Sequence, residues 1–189
     1  MNILWSFSPF IAFAVLSRHL PVTVALFAGA AVAVALIVRD RVRHARSIKI
    51  LEVGTALLFA GLGAYVLASG GAWSIVEVRL AVDAGLFLIV VISMLVRQPF
   101  TLQYARERVS PEIAAKPQFV TLNYVLTGVW ALAFLVMTVA DYVMARMPAV
   151  PLWVGIAVTV GAIAFAAWFT GWYPERARRR AQAAAGRVA

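Results

Sequence analysis

The chain has 189 residues, of which 63% are apolar and 13% charged; this leaves no polar surface for a water-soluble domain and predicts one apolar body. The lack of cysteine excludes disulfides, thiolate catalysis and Cys-ligated zinc or iron–sulfur centres. A net charge of +9 would suggest nucleic acid in a soluble chain, but here the basic residues sit at the ends of apolar stretches, where they act as topology signals, and no nucleic-acid partner is expected.

Six apolar segments predict an all-α fold, a polytopic transmembrane helix bundle of six spans, or five if the first does not cross fully. That first segment, 3–17, contains Pro9 and as a helix would reach only about 22 Å. The N-terminal Met1-Asn-Ile-Leu-Trp-Ser-Phe7 has neither the basic start nor the small-residue cleavage site of a signal peptide, so it is expected to be retained. Segments 20–38, 50–68, 73–96, 119–140 and 149–172 are each long enough to cross roughly 30 Å of hydrocarbon.

Orientation follows from the loops. Fourteen Lys and Arg residues fall in the second and fourth connections and the tail, whereas Arg18, Arg79 and Arg146 fall on the other side. The positive-inside rule therefore places both termini in the cytoplasm. His19 and His44 fall in loops on opposite sides, so no shared metal site is expected and no cofactor is indicated. Trp5, Trp73, Trp153, Trp168, Trp172 and Tyr173 lie near span ends, as an interfacial aromatic belt requires.

Helices in lipid are held together by close backbone approach and polar contacts. Ala60, Ala64 and Ala68 recur at four-residue spacing in the third span, near Gly54 and Gly61; Gly155 with Thr159, and Ala162 with Ala166, do the same in the last. These faces suit packing within the chain or in a homo-oligomer.

The fourth span begins Trp73-Ser-Ile-Val-Glu77-Val-Arg79-Leu-Ala-Val-Asp83, bringing three ionisable groups into its outer half. Such groups are costly in hydrocarbon and mark candidate sites. Arg79 and Asp83 share a helix face at i, i+4 and can pair. Two readings stay open: a pair that fixes helix register, or a polar site built from Arg79 and Asp83 with Asn123, Tyr124 and Thr127 of the fifth span. Asp141 and Tyr142, at that span's outer end, are expected at the interface.

The fourth connection is the longest and is divided by Pro99, Pro111 and Pro117. Leu102, Ala105 and Val109 share one helical face while Arg106, Glu107 and Arg108 face elsewhere, which predicts cytoplasmic interfacial helices over 99–117. Ser110-Pro-Glu112 reads as an N-cap, a proline at the first helical position and an acid in the first turn, the start of a second short helix. Glu107 and Glu112 have no nucleophile or metal ligand beside them, so catalytic and metal roles are not expected. After the bundle, 1–172, comes a basic cytoplasmic tail, 173–189. Arg106 and Arg108 of the loop, with Arg176, Arg178, Arg179 and Arg180 of the tail, are candidate contacts for anionic lipid headgroups or a partner.

Taken together, Phe7-Ser-Pro-Phe-Ile-Ala-Phe13, the basic connection running through Lys49 into Glu52, Arg97-Gln-Pro-Phe-Thr-Leu-Gln-Tyr-Ala-Arg-Glu107, and Asn123 followed by Trp130 resemble the bacterial intracellular septation protein A family. The resemblance covers the order and length of nearly the whole chain. It implies a small, non-enzymatic, multi-pass inner-membrane protein linked to septum formation and envelope integrity, contacting division or envelope membrane proteins, with no catalytic residues to carry over. The arginine-rich tail and the acidic outer half of the fourth span depart from the family's pattern. The alternative expectation is a small transporter or channel with its polar site around Asp83 and Arg79.

Overall fold

Prolines, caps and charged loops set the helix boundaries. A computed structural model describes residues 6–44, 47–70, 73–147 and 149–185. These form α1 (Ser8–Leu16), α2 (Val22–His44), α3 (Ile50–Ala68), α4 (Ile75–Leu95), α5 (Phe100–Arg106), α6 (Pro111–Ala114), α7 (Pro117–Arg146) and α8 (Leu152–Ala185), with no strand among the described residues. Proline stands in the first turn of α1, α6 and α7, where its missing N–H costs no intrahelical bond. At the start of α4, Glu77 N–H donates to Ser74 Oγ at 3.2 Å and Ser74 N–H donates to Glu77 Oε2 at 2.8 Å. This capping box accounts for one of the three ionisable groups on that helix.

Four helices, α2, α3, α7 and α8, are long and apolar enough to cross a membrane, and the chain is accordingly a membrane protein. α1 has 9 residues and covers only about 14 Å. α4 has 21 residues and is about as long as α3, which has 19.

The helices pack in chain order, α1 on α2, α2 on α3, α3 on α4, then α4 on α7 and α7 on α8, with α5 set against α7. α2 and α3 approach closely because small residues oppose rings. A Cβ on Gly29 would lie 3.1 Å from Phe59, and one on Gly63 would lie 3.1 Å from Phe27, the close approach expected where helices meet without a hydrophobic driving force. One apolar cluster joins Leu86 and Val90 of α4 to Phe100 of α5 and to Trp130, Phe134 and Met137 of α7. A second joins Phe13, Leu26, Phe59, Val78 and Val82. α8 is peripheral: 11% of its apolar window is buried inside the bundle, against 39% for α7.

One expectation is corrected here. α5 does not lie on the surface with Leu102, Ala105 and Val109 toward lipid; Phe100, Thr101, Leu102 and Tyr104 are all buried, because the chain turns back into the bundle after α4. The basic tail continues the last apolar helix. α8 runs on through Pro174 to Ala185, so its arginines extend from the last apolar helix.

Candidate functional site

The site is built where α4 ends. Arg97 adopts a left-handed φ of 58°, and the turn closes with Gln98 N–H donating to Ser93 O at 2.9 Å and Arg97 N–H donating to Met94 O at 3.0 Å. This is a Schellman cap with arginine in the place glycine usually takes. It directs Pro99 and α5 back toward the core. Ser93 Oγ accepts the Phe100 N–H at 3.2 Å and donates to Val90 O at 2.7 Å, so the first orphan donor of α5 is satisfied by α4. Thr101 Oγ1 donates to Asn123 O at 2.8 Å and lies 2.8 Å from Thr127 Oγ1. With the Thr101 proton on that carbonyl, Thr127 is the donor between the hydroxyls.

A charged cluster lies one turn further along α5. Lys49, 1% exposed, places Nζ 3.0 Å from Glu107 Oε1 and 3.6 Å from Glu52 Oε1. The same nitrogen donates to Ser47 O at 3.4 Å and lies 4.9 Å from the centre of the Tyr104 ring, a cation–π geometry. Tyr104 OH donates to Glu52 Oε1 at 3.2 Å. Burial, reinforced by the neighbouring Glu52 carboxylate, pushes the Tyr104 phenol above its ordinary pKa, which keeps it a donor. The Ile50 N–H at the start of α3 donates to Gln103 Oε1 at 2.9 Å, while Gln103 Nε2 donates to Gln98 O at 2.7 Å. One short helix thus ties the start of α3 to the end of α4.

An aromatic floor closes the site. Phe7 stacks on Trp130 at 5.0 Å, Phe100 meets Trp130 edge-on at 6.4 Å, and Trp130 Nε1 donates to Thr170 Oγ1 of α8 at 3.0 Å. The segments quoted for the septation-type resemblance therefore meet at one end of the bundle, through Phe7, Lys49, Glu52, Phe100, Tyr104, Glu107, Asn123 and Trp130. Chemically the cluster is an ionic and hydrogen-bonded latch. Among the described residues, no group of His, Asp and Glu is placed to hold a metal ion.

The other polar site expected from sequence divides in two. Arg79 Nη2 pairs with Asp141 Oδ1 at 3.2 Å, so its ion pair crosses to α7 instead of joining Asp83 along α4. Asp141 is 1% exposed, which corrects its expected interfacial place: α7 continues to Arg146 and leaves Asp141 a full turn inside the helix, facing α4. Asn123 and Thr127 stand about 27 and 21 Å from Asp141 along α7 and serve the α5 latch. Tyr124 OH donates to Met94 O at 3.4 Å, also near the end of α4. Arg106 and Arg108 are exposed beside the latch; Arg176, Arg178 and Arg179 are exposed on α8, with Arg176 5.1 Å from the Trp172 ring. The Arg180 side chain lies outside the described residues. Glu107 reaches Lys49 while Glu112 caps α6 locally, its carboxylate held below the ordinary range mainly by the Ser110 hydroxyl.

Lys49, Glu52 and Tyr104 were absent from the sequence-derived site. Their residue types and spacing gave little signal: Lys49 and Glu52 stand at i, i+3 across a helix start, a spacing common on solvated helices. No known protein family, curated protein or solved structure matches the chain.

Proposed function

We propose that this is a non-enzymatic bacterial inner-membrane protein that supports septum formation or envelope integrity through lateral contacts with other membrane proteins, as the septation-type resemblance implies. The observation that carries the reading is the convergence at α5. Residues up to 123 positions apart in sequence, Phe7 and Trp130 among them, combine into a single buried latch. That arrangement suits a surface held in fixed shape, because its charged groups are engaged with one another. In this reading the C-terminus is cytoplasmic and α2, α3, α4, α7 and α8 cross the membrane, while α1, about 14 Å long, enters it only part-way. The placement of Lys49, Arg97, Arg106, Arg108 and Lys116 around the α5 end, with Arg18, Arg79 and Arg146 at the other, supports that orientation.

The working surface proposed is α8. Phe165 and Trp168 are exposed on it, and Trp168 stacks on Trp172 at 5.3 Å. Beyond them the exposed arginines meet anionic headgroups, with a second copy of the chain as a further lateral contact. A photo-crosslinking residue at Trp168 in living cells tests this. Adducts with division or envelope membrane proteins are expected; adducts confined to lipid or to a second copy would reject the contacts with other membrane proteins.

The transporter alternative draws on the half-buried Arg79–Asp141 pair and the adjacent Asp83. Leu86, Val90, Trp130, Phe134 and Met137 fill the core between that pair and the α5 latch. Asp83→Asn would abolish flux in proteoliposomes if this reading held, and unchanged flux rejects it.

A further inference from the structure

At the end of the bundle away from α5, α4 and α7 enclose three ionisable groups. Arg79 Nη2 lies 3.2 Å from Asp141 Oδ1. Asp83 is 9% exposed and Asp141 1%, and the two carboxyls are within hydrogen-bonding reach of each other. Two carboxylates beside one guanidinium would leave an uncompensated negative charge inside a membrane protein, where such a charge is costly. A separate observation points the same way. Asp141 Oδ2 is buried and has no hydrogen-bond donor.

The surrounding groups do not supply that donor. The Thr138 hydroxyl donates to Phe134 O at 2.8 Å, Glu77 is exposed and occupied in capping α4, and the Arg146 guanidinium lies over the Tyr142 ring at 5.4 Å. α3 and α8 bring no charge to this end, since Glu52 and Glu175 belong to the other. Tyr65 of α3 is engaged edge-on with Trp73. On α8, Thr159 Oγ1 is likewise buried and unpartnered. The register set by the Trp130–Thr170 hydrogen bond and the Met144–Gly155 contact brings Thr159 level with Asp141.

We propose that Asp83 and Asp141 hold one proton between them, so that the Arg79 end of the α4–α7 interface is a reversible proton-binding site. A proton on Asp83 donates to Asp141 Oδ2, giving that oxygen its missing partner and leaving one carboxylate against one guanidinium. A metal ion would have to sit beside the guanidinium; a proton meets both deficits without doing so. Loss of the proton as pH rises leaves two carboxylates facing each other and loosens α4 from α7 at this end. The site goes beyond the lateral-contact role and stands independently of it.

Infrared spectroscopy of the full chain in lipid vesicles tests the proposal. Wild type at neutral pH is expected to show a protonated-carboxyl C=O band that disappears reversibly on alkaline titration. The band is lost in Asp83→Asn and in Asp141→Asn, since each leaves one carboxylate paired with Arg79. It persists in Glu52→Gln, which removes a buried carboxyl at the other end, and it about doubles in Arg79→Gln, where two carboxyls must be neutralised. Circular dichroism confirms that each variant keeps its helices, and Asp83→Asn, which keeps the Arg79–Asp141 pair, serves if Asp141→Asn does not fold. Absence of the band from wild type at neutral pH, its survival in a folded Asp83→Asn or Asp141→Asn variant, or its loss in Glu52→Gln would overturn the proposal.

Discussion

Removing the Lys49 side chain would strip Glu52, 6% exposed, of its cationic partner and leave it the Tyr104 hydroxyl. A buried ion pair broken on one side costs about 3–5 kcal/mol, whereas replacing both partners with neutral groups of similar volume is far milder. Lys49→Ala is therefore expected to destabilise the protein by about that amount in detergent unfolding, and Lys49→Met combined with Glu52→Gln to recover most of it. Equal losses in the single and double variants would show that the pair contributes little. Tyr104 gives a pH signature. Its folded-state pKa lies above the ordinary phenol value, so its stabilisation is complete below that ordinary value and is lost as pH rises through the folded one. In an ultraviolet alkaline titration Tyr104 should ionise late, together with release of α5. Tyr104→Phe should remove that late step and cost about 1–3 kcal/mol, the range for a buried group deprived of its hydrogen bond. The charges of α4 were legible in the sequence, but their partner was not: i, i+4 spacing suggested Asp83 for Arg79, while the observed partner, Asp141, is fixed by the packing of α4 on α7, which no local pattern encodes.

The docking of α5 depends on the turn before it. Arg97 occupies a left-handed position at φ 58°, a conformation that costs a residue with a Cβ about 1–2 kcal/mol. Arg97→Gly is expected to stabilise the folded protein by about 1 kcal/mol, read as a raised unfolding midpoint; a lowered midpoint would mean that the arginine side chain contributes more than the backbone loses. The absence of native cysteine makes helix register directly measurable. A Met144→Cys, Gly155→Cys pair, placed where the Met144 side chain reaches Gly155 across α7 and α8, should be joined by a short bifunctional thiol reagent; no cross-link would contradict this register. Apolar length marked out α3 and α4 closely, and Ser110-Pro111 located α6, while α2 runs six residues past its apolar segment to His44. The same reading placed α5 on the membrane surface, because an amphipathic face looks alike whether lipid or protein covers it. It ended α7 at 140, since Asp141 looked like a boundary; pairing with Arg79 lets the helix continue to Arg146.

At the scale of the whole molecule, the bundle has polar clusters at both ends and an apolar core between them. The α5 end ties together α3, α4, α5 and α7; the other end joins α4 to α7 through Arg79 and Asp141. α8 contributes little to the core and offers its exposed aromatics outward. The membrane character of the chain was written in the length of its apolar segments, whereas the latch was not, because its members are spread over more than a hundred positions and meet only after folding. The measurement that most directly tests the proposed role is the distribution of a fluorescent fusion at the C-terminus in dividing bacterial cells, with an unrelated multi-span protein as control. Enrichment at the division site, lost when Lys49 is replaced by Ala, is the predicted result; a distribution as even as the control's would contradict the account.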